Sequence, residues 1–209
     1  KFLCIVSSNL DEFFEVRMAW LKQQLRLSPH LPLANGELPQ QVIHNVIAEI
    51  RTIITTQYQL FNQDLLPALQ DQGIRFFRRR EWTAAQAAWV EEYFLRELKP
   101  ILTPIGLDSS HPFPRLMNKS LNFAVELDGK DAFGRESGMA IVQAPRILPR
   151  VVQLPPELCD DQYGFVFLSS IMHAHIDTLF SGMEVKGCHQ FRLTRDSELA
   201  VDEEDLKNL

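Results

Sequence analysis

The sequence predicts a multidomain protein, α followed by α/β: an N-terminal helical bundle and then part of an α/β (α+β) domain. Three observations carry this. Apolar residues recur at helical spacing through the first 100 residues, a proline-rich stretch follows, and beyond it the apolar pattern alternates with period two. The expected domains are 1–105, helical with a truncated start, and 106–209, whose C-terminal part is missing.

The first helix is expected over roughly residues 9–27. Ser8 with Asp11 has the spacing of a capping box, and Asn9 would then lie in the first turn beside free backbone N–H groups. Such a position suits contact with a polar or anionic ligand. Leu10, Phe13, Phe14, Met18, Leu21 and Leu25 form the apolar stripe, widened by Val16, Trp20 and Leu27. Arg17 points into that stripe, so a buried, hydrogen-bonded guanidinium is expected there.

Ser28 to Gly36 reads as a loop. A long helix then opens near Pro39 and carries Ile43, Val46, Ile47, Ile50, Ile53, Ile54, Tyr58, Phe61 and Leu65 on one face. Pro67 should kink or interrupt it, and Gly73 should stop it. Ile74–Phe77 is expected as an edge strand or connector. Thr83 with Gln86 forms a second capping box, opening a third helix that runs to about Leu98.

Pro100, Pro104, Pro112 and Pro114 then interrupt regular structure. Leu121, Phe123, Val125 and Leu127 predict a half-buried strand, and Met139–Val142 a second. Ile147–Leu154 would be an edge strand because of Pro149. Phe165–Leu168 is a short buried strand leading to a helix capped by Ser169 or Ser170 and ending before Gly182. His189, Phe191 and Leu193 line one face of a last strand, and Asp202–Asp205 suits a helix N-terminus.

The 209 residues are 45% hydrophobic and 23% charged, as in globular proteins, with a net charge of −6. Residues 101–209 carry 10 basic and 16 acidic side chains, which excludes a broadly basic, nucleic-acid-binding surface. The local run Arg78-Arg79-Arg80, with Arg75, reads as a solvated face. Cys4, Cys159 and Cys188 have no metal-ligand spacing and indicate a reducing compartment. No apolar run is long enough to span a membrane.

Self-contained catalytic chemistry is not legible. There is no phosphate-binding loop, dinucleotide fingerprint or zinc-protease motif. His173 and His175 lie two apart on a helix, so they face different directions and are not expected to share a metal. His30, His44, His111 and His189 have no carboxylate or cysteine partner close by in sequence.

Four ordered segments do resemble one family. Ser8-Asn9-Leu10-Asp11-Glu12-Phe13-Phe14-Glu15-Val16-Arg17 is similar to the S-N-L-D-E-F-x-x-V-R segment of the bacterial polyphosphate kinases that work through a phosphorylated histidine. Leu102-Thr103-Pro104, His111-Pro112-Phe113-Pro114 with Asn118-Lys119-Ser120-Leu121, and Leu193-Thr194-Arg195-Asp196 resemble it in the same order. The resemblance implies a helical N-terminal domain and a head domain, followed by two catalytic domains beyond Leu209 that hold the nucleophilic histidine and the magnesium ligands. The full-length enzyme would move the terminal phosphate of ATP reversibly onto inorganic polyphosphate, with ATP/ADP and Mg2+ as its cofactors. It would be a cytoplasmic or membrane-peripheral homo-oligomer, assembled through the head domain.

Within these residues the resemblance implies no catalytic residue, no metal ligand and no tightly bound cofactor. Asn9 alone carries over, as a contact to ATP. The fragment by itself is expected to be inactive. The competing expectation is a non-catalytic α/β interaction or dimerisation module.

Overall fold

The computed structural model describes residues 1–108, 112–130, 138–160 and 162–196. His111 and the acidic run Asp202–Asp205 therefore lie outside the described residues. Contacts divide the chain into two compact units, one of residues 1–61 with 194–209 and one of residues 62–193. The expected boundary at 105/106 falls inside the second unit, because the strand at Ile74 and the helix after Thr83 pack with the later strands.

The first unit is helical. Helix α1 (Phe2–Glu12) passes without a break through a π-helical segment, Phe13–Met18, into α2 (Ala19–Leu27). The expected helix start at Ser8 is therefore corrected. Phe13 has φ −58° and ψ −45°, so the backbone stays helical across the junction. Ser7 Oγ bonds to the Leu3 carbonyl, 3.2 Å away, the back-bond of a serine inside a helix. The apolar run Phe2–Val6 already belongs to the helix that the S-x-x-D pattern was expected to open.

Arg17 is exposed, which overturns the expected burial. The physical cause is the π segment. Its i→i+5 bonds change the phase of the helix, so a stripe extrapolated at 3.6 residues per turn drifts. Met18 and Leu21 keep the buried side, while Val16 and Trp20 are about half exposed beside Arg17.

Helix α3 (Pro39–Gln59) starts as expected, with Pro39 in the first turn and the Gln41 side chain accepting the Leu38 N–H at 3.3 Å. A second π segment, Leu60–Leu65, precedes α4 (Leu66–Asp71), which holds Pro67 in its first turn. A helix with an internal proline must release the i−4 carbonyl, and the π segment sits where that release is needed. Gly73, at φ +76°, ends the run in the left-handed conformation a C-terminal glycine supplies.

The second unit holds two sheets and one shared core. Strand β1 (Ile74–Phe76) is an edge strand parallel to β6 (Tyr163–Phe167), whose other neighbour is antiparallel β5 (Val151–Gln153). The four-stranded sheet runs β2-β4-β3-β7 and is antiparallel throughout. Its strands are β2 (Ile105–Leu107), β3 (Leu121–Gly129), β4 (Met139–Gln143) and β7 (Met183–Arg192). Phe123, Val125 and Leu127 face the core as the period-two pattern predicts. A bulge between Glu126 and Leu127 ends the regular register with β7.

Helix α5 (Ala84–Tyr93) has the expected capping box. Thr83 Oγ1 accepts the Gln86 N–H at 3.2 Å, and Gln86 Oε1 accepts the Thr83 N–H at 3.0 Å. The Gln86 amide also donates to the Leu158 carbonyl at 2.8 Å, so this buried polar residue ties the helix start to the β5–β6 connection. Val90, Phe94 and Leu98, on α5 and its π-helical extension Phe94–Leu98, are fully buried. They join β3, β4, β6 and α6 (Leu168–His175) in a single cluster. The third helix thus serves the α/β unit instead of a three-helix bundle. Neither Ser169 nor Ser170 caps α6: strand β6 runs directly into it, and Phe167 occupies the cap position.

Candidate functional site

Helix α1 presents two different faces. Leu3, Val6, Ser7 and Leu10, at helical spacing, are partly buried, whereas Phe2, Ile5, Asn9 and Glu12 are exposed. Gln57 of α3 fixes the orientation. Its amide donates to the Leu3 carbonyl at 2.8 Å and to Ser7 Oγ at 2.7 Å, fastening the inner face of α1. Asn9 is consequently held outward on a rigid element.

Asn9 lies inside the helix and not in its first turn, so the expected free N–H groups beside it are absent; their hydrogen bonds are made within the helix. Its side-chain amide is what remains to meet a ligand. Ile5, one turn before, is 45% exposed, and Phe2 is 83% exposed. Glu12, three residues on, is exposed on the same side of the helix. Its carboxylate disfavours a phosphate there, and the apolar neighbours suit a flat ring.

Gln57 was not legible as a site residue, since a glutamine on a polar helix face is unremarkable until its partner helix is known. Gln57→Ala is expected to weaken the hold on α1 by about 1–2 kcal/mol for two lost hydrogen bonds. Faster amide exchange over residues 3–12 in the full-length protein is the readout. Unchanged exchange there would show that α1 is held by its apolar contacts alone.

In the second unit, two of the four ordered motifs meet. The Lys119 N–H donates to the Leu193 carbonyl at 2.8 Å, and the Leu193 N–H to the Ser120 carbonyl at 3.4 Å. Ser120 and Asn122 are fully buried. Ser120 Oγ donates to the Met117 carbonyl at 2.5 Å, while Asn122 Nδ2 donates to Ser120 O and Oγ, both at 3.0 Å. This lattice holds Lys119 at φ +57°, the left-handed region a lysine rarely occupies. An Arg146 guanidinium nitrogen donates to the Asn118 carbonyl and closes the turn.

The histidines separate as their spacing requires. Arg79 Nη1 donates to His173 Nδ1 at 3.0 Å, so the proton is on Nε2, which faces the Cys188 carbonyl at 3.2 Å. Arg79 is thus committed to a structural contact. His175 instead packs on the Phe94 ring, 5.5 Å between centroids, and burial pushes its pKa down. His189 Nε2 stands 3.6 Å from Glu126 Oε1 at the surface. Among the described residues no group of three His, Cys, Asp or Glu could hold a metal ion, and no helix is long and apolar enough to cross a membrane.

A helical N-terminal region followed by mixed sheets with helices defines the fold class of this chain. The same fold occurs in the crystal structure of polyphosphate kinase from Porphyromonas gingivalis, with a TM-score of 0.79 and 28% identity over 96% of this chain and 29% of that one. The family model for the polyphosphate kinase N-terminal domain matches residues 1–77, and that for the polyphosphate kinase middle domain matches residues 85–209. The chain belongs to the polyphosphate kinase family. It is 69% identical over its full 209 residues to the polyphosphate kinase of Neisseria meningitidis serogroup A, and 53% identical to that of Pseudomonas aeruginosa. In both comparisons it spans 30% of the relative's length.

Proposed function

We propose that the complete protein transfers the terminal phosphate of ATP reversibly to inorganic polyphosphate through a phosphohistidine. These residues would supply its N-terminal and head domains. The observation that carries this reading is the 69% identity to a polyphosphate kinase across every residue of the chain. A covalent histidine intermediate would split the transfer into two steps, with Mg2+ and basic side chains stabilising the phosphoryl charge. Both would come from the catalytic domains. The head domain would mediate homo-oligomer formation in a cytoplasmic or membrane-peripheral enzyme. Purified full-length protein should form polyphosphate from ATP and carry an acid-labile phosphoryl label, whereas residues 1–209 alone should do neither. Polyphosphate synthesis by the fragment, or none by the whole, would overturn this reading.

Asn9 is proposed as the contact to the adenine of ATP. Its amide offers a donor and an acceptor, the pair an adenine edge presents. The base lies far from the transferring phosphate, so the contact would act equally on ground and transition states. Asn9→Ala in the full-length enzyme should raise the KM for ATP about fivefold, equivalent to about 1 kcal/mol for one lost hydrogen bond, with kcat nearly unchanged. Because alanine is the better residue inside a helix, Tm should hold or rise. An unchanged KM together with a lower Tm would assign Asn9 a structural role.

A further inference from the structure

Arg79, His173 and Cys188 belong to three separate elements yet form one chain of contacts. Arg79 opens the short 3-10 turn Arg79–Glu81 between β1 and α5, His173 is on α6, and Cys188 lies within β7. Arg79 Nη1 donates to His173 Nδ1 at 3.0 Å, and the opposite ring nitrogen donates to the Cys188 carbonyl at 3.2 Å. The imidazole is the middle link. Arg79 and His173 are both exposed, so protons reach the contact freely.

This chain of contacts exists in one protonation state. A guanidinium has donors and no acceptor, so it can bond Nδ1 only while that nitrogen keeps a free lone pair. Histidine is the side chain that ordinarily changes charge between about pH 5 and 8. A proton on Nδ1 removes the acceptor and sets two positive groups 3.0 Å apart. The bond from Nε2 to Cys188 survives, because both nitrogens of an imidazolium are donors. What is lost is the hold on Arg79. Its other contact, from the same nitrogen to the His173 carbonyl at 3.4 Å, is long and lies beside the new charge. The neighbouring groups do not take over the proton. Burial pushes the His175 pKa down, Arg79 adds to this, and Glu91 of α5 and Asp177 beyond α6 work against it. Burial pushes the Cys188 thiol pKa up, so that group stays neutral through this range. Arg80, the next residue of the turn, stands 3.9 Å from Glu81.

We infer that His173 is an acid-released latch: neutral, it clamps the Arg79–Glu81 turn to α6 and β7, and protonated, it lets Arg79 go and leaves the turn loose beside an added positive charge. The sign follows from the contact, which is present at higher pH and lost as pH falls. The turn leads directly into the Thr83 cap of α5. Its own bonds report its state, since the Glu81 N–H donates to the Arg78 carbonyl at 2.8 Å and the Trp82 N–H to the Arg79 carbonyl at 3.4 Å.

The test is hydrogen exchange of the Glu81 and Trp82 amides in the full-length protein, at about pH 7.5 and about pH 5.5, on either side of histidine's ordinary titration. Each rate is divided into the unfolded-chain rate at the same pH, so that protection alone is compared. Wild-type protection should fall about fivefold from the higher to the lower pH, the scale of one hydrogen bond. Arg79→Met should be as weakly protected at both values as the wild type is in acid. His173→Asn, which cannot take up the proton, should show no response to pH. His175→Gln should keep the wild-type response. Arg79→Met changes an exposed side chain in the turn and guards against a helix variant that misfolds. Equal protection of the wild type at the two pH values would overturn the inference. So would an undiminished response in Arg79→Met or in His173→Asn, or its loss in His175→Gln, each of which would assign the effect to another group.

Discussion

Phe94→Ala should lower the stability of the α/β unit by about 3–5 kcal/mol, the range for removing a fully buried phenylalanine. Phe94 has no exposed surface and lies in the cluster that both sheets share with α5 and α6. Its ring also packs on His175. The loss combines the transfer of the ring with a cavity that elements on all sides would have to collapse to fill. A urea midpoint should show it, read against Leu95→Ala as control. Leu95 is the next residue, 45% exposed, and its truncation should stay within about 0.5 kcal/mol. Phe94→Leu, which keeps most of the volume, should cost about 1.5 kcal/mol or less. Similar midpoints for Phe94→Ala and Leu95→Ala would show that the core is not centred on this helix.

Gly164→Ala is the second large effect, expected to cost about 1–3 kcal/mol by overpacking. Gly164 is the second residue of β6 and is paired with Arg75 of β1. A Cβ there would stand 2.9 Å from Phe77 Cε2 and 3.2 Å from Cys159 Cβ, and closer still to Cys159 Sγ. Phe77 and Cys159 are both buried in the core, and burial pushes the Cys159 thiol pKa up. Glycine is required here for close approach and not for an unusual backbone angle. Cys159→Ala should relieve most of the clash, so the double variant Cys159→Ala/Gly164→Ala should be more stable than the sum of the two single changes predicts. Strict additivity in the denaturation midpoints would show that the thiol is not the obstacle.

Much of the local structure was legible in the chain. The Thr83–Gln86 box marked a helix start to the residue, Gly73 marked a stop, and β3 followed its alternation of Phe123, Val125 and Leu127. Each depends on contacts within a few residues, or on one periodic face. The family was legible too, because its motifs are contiguous strings. Asn9 remains a proposed contact that rests on its place in such a string, since the helix start expected beside it is not there in the structure.

By itself, then, the sequence determined most of the helices and strands, the order of helical region before sheets, and the family. It missed strand β2, which lies in the proline-rich stretch expected to lack regular structure, and the π segments. Tertiary structure decided which helix serves which core, that Arg17 faces water, that Gln57 orients Asn9, and that Gly164 admits Phe77 and Cys159. The reason is range. Caps, glycine stops and strand alternation are settled by neighbours in the chain. The phase of a helix across a π segment, and the partner of a buried polar or glycine residue, depend on atoms tens of residues away, which sequence spacing cannot locate.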